Sequence, residues 1–335
     1  MKSLESSVDA IAKQTGFSGV VRVDRGDVVE LVGAYGLAHR GSEIANTVDT
    51  RFGIASGTKG LTALTVVSLI EDGLVQPTTT ARSVLGRDLP LIDDDVTVEQ
   101  LLAHRSGIGD YLDEDIDRPI TDYVMSIPVH ELATTEAFLQ VLDGFPRKFR
   151  AGESFSYSNG GYVVLALIAE RVSGVPFHDL VVHRVCAPAG MPDTGFLRSD
   201  ELPGDAAVGY LQDEGLRTNL FHLPVRGNGD GGIFTTAADV SSLWSALFAG
   251  RIVSARWVSE MVRPHSEDPS EPRRYGLGFW LHASYDVVSL HGYDAGASFR
   301  TVHDPSERIT HTVLSNTSEG AWPITEHLDD VLGTA

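Results

Sequence analysis

Apolar and polar residues follow two different rhythms along this chain. Residues 17–24 and 28–37 are Val-rich runs on either side of Arg25-Gly26-Asp27, a pattern that predicts two strands joined as a hairpin. The rhythm then changes. Leu61, Leu64, Thr65, Val67, Ser68, Leu69 and Ile70 recur at helical spacing, and Gly73 supplies the stop. Helical spacing returns over 97–103, 133–142, 161–173 and 177–186, separated by loops containing Pro and Gly, so the middle of the chain reads as mostly helical. Two more helices, capped by Thr236 and Ser254, fall between 236 and 264. Short strand-like runs follow at 276–282, 287–291, 298–303 and 309–315, with turns at Ser284-Tyr285-Asp286 and Asp304-Pro305-Ser306-Glu307. An amphipathic helix over 322–332 closes the sequence. Strands near both ends with helices between them predict an α+β fold. One antiparallel sheet, flanked by helices, is drawn from 1–75 and 235–335, and a mostly helical lobe, 76–234, is inserted to complete a single unit.

Composition narrows the partners. The formal net charge of −20 argues against nucleic acid as a ligand. No run of about 20 apolar residues is present to span a membrane. The start, Met1-Lys2-Ser3-Leu4-Glu5, lacks the apolar core of a signal peptide, so a cytoplasmic location is expected unless a leader has been trimmed. Cys186 is the sole cysteine; it excludes an intrachain disulfide and reads as a small buried residue. The twelve histidines show no metal-ligand spacing, and no metal or other cofactor is expected. Two motif matches fail on context. Gly227-x-Gly229-x-x-Gly232 follows no strand and opens no βαβ unit, which leaves it a tight or mobile loop near a pocket. Asp113-x-Asp115-x-Asp117 starts like a calcium loop, but Arg118 stands where the glycine is needed, so it reads as a solvated acidic loop.

Three segments carry chemistry. In Ser56-Gly57-Thr58-Lys59 a hydroxyl and an amine sit one helical turn apart at the start of the Leu61–Ile70 helix, and a lysine kept neutral by burial can take the serine proton. Tyr157-Ser158-Asn159 offers an acid/base hydroxyl and an amide that both donates and accepts, although the same residues would also suit a turn before the 161–173 helix. Leu290-His291-Gly292-Tyr293-Asp294-Ala295-Gly296 lies at a strand end, where glycines admit close approach and an amide can complete an oxyanion hole with that of Ser56. There is no Gly-x-Ser-x-Gly elbow.

Together with Leu101-Leu102-Ala103-His104-Arg105-Ser106-Gly107, Gly190-Met191-Pro192-Asp193-Thr194 and Gly231-Gly232-Ile233-Phe234-Thr235-Thr236, these segments resemble the serine β-lactamase and penicillin-binding-protein superfamily. The resemblance is to its class C β-lactamase-like branch, which includes esterases and D-amino-acid peptidases. It implies a β-lactamase/transpeptidase-like fold and an acyl-enzyme hydrolase. Ser56 would be the nucleophile, Lys59 its activator and Tyr157 the general acid/base. Asn159 would position Lys59 and substrate, the amides of Ser56 and Tyr293 would form the oxyanion hole, and His291 and Gly292 would contact substrate.

The third motif of this family usually opens with Lys or His two residues before a glycine. If Gly292 is that glycine, Leu290 stands in the basic position and the cation is missing or displaced to His291. Losing a charge-assisted contact to a substrate carboxylate costs roughly 1.5–3 kcal/mol. The expectation is therefore a carboxylesterase on small esters. The alternatives are a D-amino-acid peptidase or amidase, a weak β-lactamase, and a sensor of the same fold that binds without turnover. Arg273, Arg274 or Arg300 would restore a cation; Asp230, Asp294 or the acidic loop would recognise a substrate amine. The oligomeric state does not follow from the sequence.

Overall fold

The computed structural model describes residues 3–116, 118–269 and 273–334. Met1, Lys2 and Asp117, the last residue of the acidic motif, lie outside the described residues. The first element is one the expected set lacks. Helix α1 (Leu4–Thr15) is capped by the Ser3 side chain, which accepts the Ser6 N–H, and ends where Gly16 turns left-handed. Its apolar residues are few, but Val8 and Ala12 share one face and are buried.

The hairpin forms as β1 (Gly19–Arg25) and β2 (Val28–Tyr35), followed by β3 (Leu37–His39), β4 (Ile44–Ala45) and β5 (Phe52–Gly53). The middle of the chain holds α2 (Thr58–Glu71), α3 (Ala81–Leu85), α4 (Val98–Leu102), α5 (Leu139–Leu142), α6 (Asn159–Ser173), α7 (Phe177–Val181) and α8 (Ala187–Ala189). A π-helical turn, Val182–Cys186, joins the last two. Then come β6 (Phe234–Thr235), α9 (Ala237–Phe248), α10 (Ala255–Met261), β7 (Ser266–Glu267), β8 (Arg273–Tyr275), β9 (Trp280–His282), β10 (Val288–Asp294), β11 (Ala297–Asp304), β12 (Ile309–Ser315) and α11 (Trp322–Leu332).

One eight-stranded antiparallel sheet runs in the order β2-β1-β12-β11-β10-β9-β8-β7. It is built from both ends of the chain, with Gly19 opposite Ser315. Alternation sorts its side chains between two layers. Val20 and Leu314 join α2, α6 and α9 in the main core, while Val21 and Val313 pack against Val8, Ile324 and Leu328 of α1 and α11 on the other face.

The middle of the chain is less helical than its spacing predicts. Residues 133–142 form a 3-10 turn (Thr135–Phe138) and a single α-turn, because Leu132, Phe138 and Val141 satisfy their apolar faces by packing on Val163 of α6. From Met191 to Ile233 there is neither helix nor strand. This long segment, broken by Pro192, Pro203 and Pro224, wraps one wall of a cavity. No single helix among the described residues is long and apolar enough to cross a membrane.

Candidate active site

Ser56 sits in a 3-10 turn, Ala55–Gly57, that leads directly into α2. Ala55 has φ +44°, a conformation costly for any residue with a Cβ. Neighbours hold it there. The Thr58 hydroxyl donates to Ala55 O (2.7 Å) and accepts the Ile233 N–H (3.2 Å), tying the turn to the loop before β6. Strand β10 presses on the same turn. A Cβ at Gly292 would lie 2.0 Å from Ile54 O, so only glycine lets the strand come this close.

Lys59, one turn into α2, is 1% exposed, and its Nζ has three partners. It lies 2.7 Å from Asn159 Oδ1, 2.8 Å from the Asp230 backbone oxygen and 2.9 Å from Ser56 Oγ. The Asp230 oxygen can only accept. The Asn159 oxygen is fixed as an acceptor because its Nδ2 donates to Leu112 O and Glu114 Oε1, both at 2.9 Å. A neutral amine has two protons for those acceptors and a lone pair for the Ser56 hydroxyl. Burial lowers the Lys59 pKa from its ordinary range, against the opposing pull of Asp230, Glu114, Asp110 and Asp294. The geometry and the titration shift both favour a lysine able to accept the serine proton.

Tyr157 completes the cluster. Its hydroxyl is hydrogen-bonded to Ser56, and Lys59 Nζ lies 4.8 Å from its ring centroid. Burial first, then Glu114, pushes its pKa well above the usual phenol range, so it is a proton donor at neutral pH. Trp280 of β9 stacks on the ring at 5.9 Å. The residues after it begin α6, where the Gly160 N–H donates to buried Asp110 (2.9 Å) and Ser158 caps the helix through the Gly161 N–H.

A cavity of about 450 Å³ opens from Ser56. Leu197, Leu202, Leu220, Leu223, Val225 and Phe234 give it an apolar wall, while Glu114, Asp230 and Asp294 bring carboxylates toward the nucleophile. Burial raises the Asp294 carboxyl to about 7. Tyr111 hydrogen-bonds Asp230 and lines the same cavity. Among the described lining residues Arg118 is the one arginine and no lysine occurs.

The structure gathers Ser56, Lys59, Tyr157 and Asn159 into one hydrogen-bonded group and separates part of the third motif from it. His291 is not among the residues that line the cavity. It lies 3.1 Å from Arg273 Nη1 and 3.0 Å from Ser289 Oγ, with Trp280 stacked against it, and burial holds its pKa well below the ordinary value. The expected substrate contact by His291 is not seen at the cavity wall, where the half-buried ring instead meets Arg273, Ser289 and Trp280. Leu290 faces the opposite way, against Gly60 of α2, so a cation at 290 would not reach substrate either. Arg300, which pairs with Asp329 on that outer face, and Arg273, stacked on Trp280, also stand outside the cavity lining. Gly292 acts through the close approach described above. Tyr293 lines the cavity and bonds Glu319 through its hydroxyl (2.8 Å). Asn159 spends both amide protons on Leu112 and Glu114, holds Lys59 through its oxygen, and also lines the cavity.

The acidic loop is solvated at Glu114 and Asp115, as expected. Asp113 and Asp115 pair with Lys148, and Glu114 between them turns into the cavity. The glycine loop is tightly turned, since a Cβ at Gly229 would lie 2.2 Å from Tyr162 O. Thr58, Asp110, Glu114 and the Asp230 carbonyl were not legible as lysine- or turn-holding groups, because backbone acceptors and buried carboxylates leave no spacing signal.

A model of the family described as Beta-lactamase matches residues 4–332. The solved penicillin-binding protein from Bacillus halodurans superposes with a TM-score of 0.90 at 32% identity, covering 97% of this chain and 99% of that one. The penicillin-binding protein PbpX of Bacillus subtilis is 28% identical over 312 residues, 92% of this chain and 73% of that protein. The D-aminopeptidase of Brucella anthropi is 25% identical over 312 residues, 91% of this chain and 57% of that protein. The match runs from the first helix to the last and takes in the serine, the buried lysine and the tyrosine; the chain belongs to the β-lactamase family of serine hydrolases.

Proposed function

We propose that this protein hydrolyses small carboxylic esters through an acyl group carried on Ser56. The observation that supports the reading most is the Lys59 amine, whose two other partners are acceptors, which leaves its lone pair for the serine hydroxyl. In acylation Ser56 Oγ bonds to the substrate carbonyl carbon as its proton passes to Lys59. The amides of Ser56 and Tyr293 receive the developing oxyanion. The leaving oxygen departs with the Tyr157 proton, which the Lys59 ammonium then replaces. Water repeats the sequence in reverse roles and frees the acid. Among the described lining residues, four carboxylates (Asp113, Glu114, Asp230 and Asp294) stand against one cation, Arg118, an excess that disfavours substrates carrying their own carboxylate near the scissile bond, such as β-lactams.

A nitrophenyl ester tests this directly. The wild type is expected to show a burst of nitrophenol and a mass gain on Ser56, and Ser56→Ala neither. Equal hydrolysis by both proteins would refute the mechanism.

One observation favours a second reading, cleavage of amides that bear a free amine beside the scissile carbonyl. Glu114, Asp230 and Asp294 line the same cavity as Ser56, the charge an ammonium group would require, and one relative is named a D-aminopeptidase. A D-alanyl amide and its N-acetylated form separate the two readings. Preference for the free amine supports the second, and indifference the first.

A further inference from the structure

The turn that carries Tyr157 is held on both sides by one residue, and that residue sits in a conformation it pays to adopt. His104 follows α4 with φ +55°, a left-handed geometry that glycine takes at the end of a helix without strain. It is 1% exposed. Its backbone oxygen accepts the Ser156 N–H at 3.0 Å, and its Nδ1 accepts the Ser158 N–H at 3.0 Å. The two amides flank Tyr157. Between them the imidazole lies 4.3 Å from the Tyr157 ring, centroid to centroid. Because Nδ1 accepts, the ring proton belongs to Nε2, and that atom is buried with no hydrogen-bond partner among the rings of Phe155, Tyr162 and Tyr275. A leucine or phenylalanine would fill this space without an orphaned N–H. What an imidazole adds over either is an acceptor for the Ser158 N–H.

We propose that His104 is a positioning residue for the reaction: it fixes the Tyr157 hydroxyl over Ser56 by gripping the backbone on either side of the tyrosine. Burial, chiefly, holds its pKa well below the ordinary histidine value, so Nδ1 remains an acceptor at neutral pH. The inference rests on the reading of Tyr157 as the proton donor.

The test is a double-mutant cycle on nitrophenyl ester hydrolysis with four variants: His104→Phe, His104→Asn, Tyr157→Phe and the double variant His104→Phe/Tyr157→Phe. Phenylalanine keeps a ring but removes the acceptor; asparagine restores an acceptor and tolerates φ > 0. Expected is a fall in kcat of about 10–100-fold for His104→Phe with KM within about twofold, at least about fivefold recovery in His104→Asn, and less than about twofold further loss when His104→Phe is added to Tyr157→Phe. A merely structural role predicts additive losses and no rescue. If Tyr157→Phe is crippled while folded His104→Phe keeps wild-type kcat, or if the two losses multiply, the inference is overturned. If Tyr157→Phe itself is fully active, the reading of Tyr157 is what fails. Should His104→Phe not fold, His104→Ala against His104→Asn makes the same comparison at matched thermal midpoints, and equal kcat in the two overturns the inference.

Discussion

Two buried groups set the pH behaviour of single residues here. Lys59 must be neutral to take the Ser56 proton, and burial has lowered its pKa from 10.5, so acylation should fall as pH drops through the lowered value. Lys59→Met should reduce the burst rate by about 10²–10⁴-fold and remove that acid limb from whatever activity remains. The sign for stability is the same. Between the native pKa and 10.5 the unfolded chain binds a proton that the native protein does not, so stability rises with pH over that window, and Lys59→Met should flatten the rise in urea titrations. Asp110 shows the opposite sign. Its carboxyl is pushed up to about 6 from 3.8 by burial, so its contribution is complete below 3.8 and lost as pH climbs through 6. Asp110→Asn keeps an oxygen for the Gly160 and Leu112 N–H groups. Relative to wild type it should gain up to about 3 kcal/mol in denaturant stability between pH 3.5 and 8. The Ser56, Lys59, Tyr157 and Asn159 group was legible because each residue type has a fixed chemical use. Asp110 and Glu114 were not, since their value lies in which atoms surround them.

Among the elements, β10 does the most for the site, and it does so by having no side chain at one position. Gly292→Ala would place a methyl 2.0 Å from Ile54 O, so either the strand or the nucleophile turn must retreat. The expected outcome is a loss of about 1–3 kcal/mol in stability by thermal melts, with a larger fractional loss of kcat than of substrate affinity. Strand patterning located β10, β11 and β12 to within a few residues because short apolar and β-branched runs bounded by turn residues are a strong signal. It could not assign faces near 290. Leu290 packs on Gly60 of α2, and His291 stacks on Trp280 outside the cavity lining. The absence of α1 from the expected elements has a similar cause. Its buried stripe is short, and the Ser3 and Gly16 caps mark it more clearly than its apolar residues do.

For the whole molecule, the net charge of −20 and the carboxylates inside the cavity act in one direction. A cationic ester should be drawn in and an anionic one repelled, so kcat/KM for the first should fall several-fold, and for the second rise, as ionic strength goes from about 0.01 to 0.3 M. Identical salt responses would show that the cavity carboxylates do not face the substrate charge. The pairing of β1 with β12 has a different kind of consequence, one of timing. Gly19 finds Ser315 across nearly the entire chain, and β1 has no partner on that side until the last strand has been made. As the polypeptide leaves the ribosome, Ser56, Lys59 and Tyr157 are made before the strand that completes the sheet, so the sheet closes only after the reactive residues are present. A chain ending before Ile309 should contain Ser56, Lys59 and Tyr157 but leave β1 and β11 without their shared neighbour, and the expected outcome is no acyl label on Ser56 by intact-mass measurement.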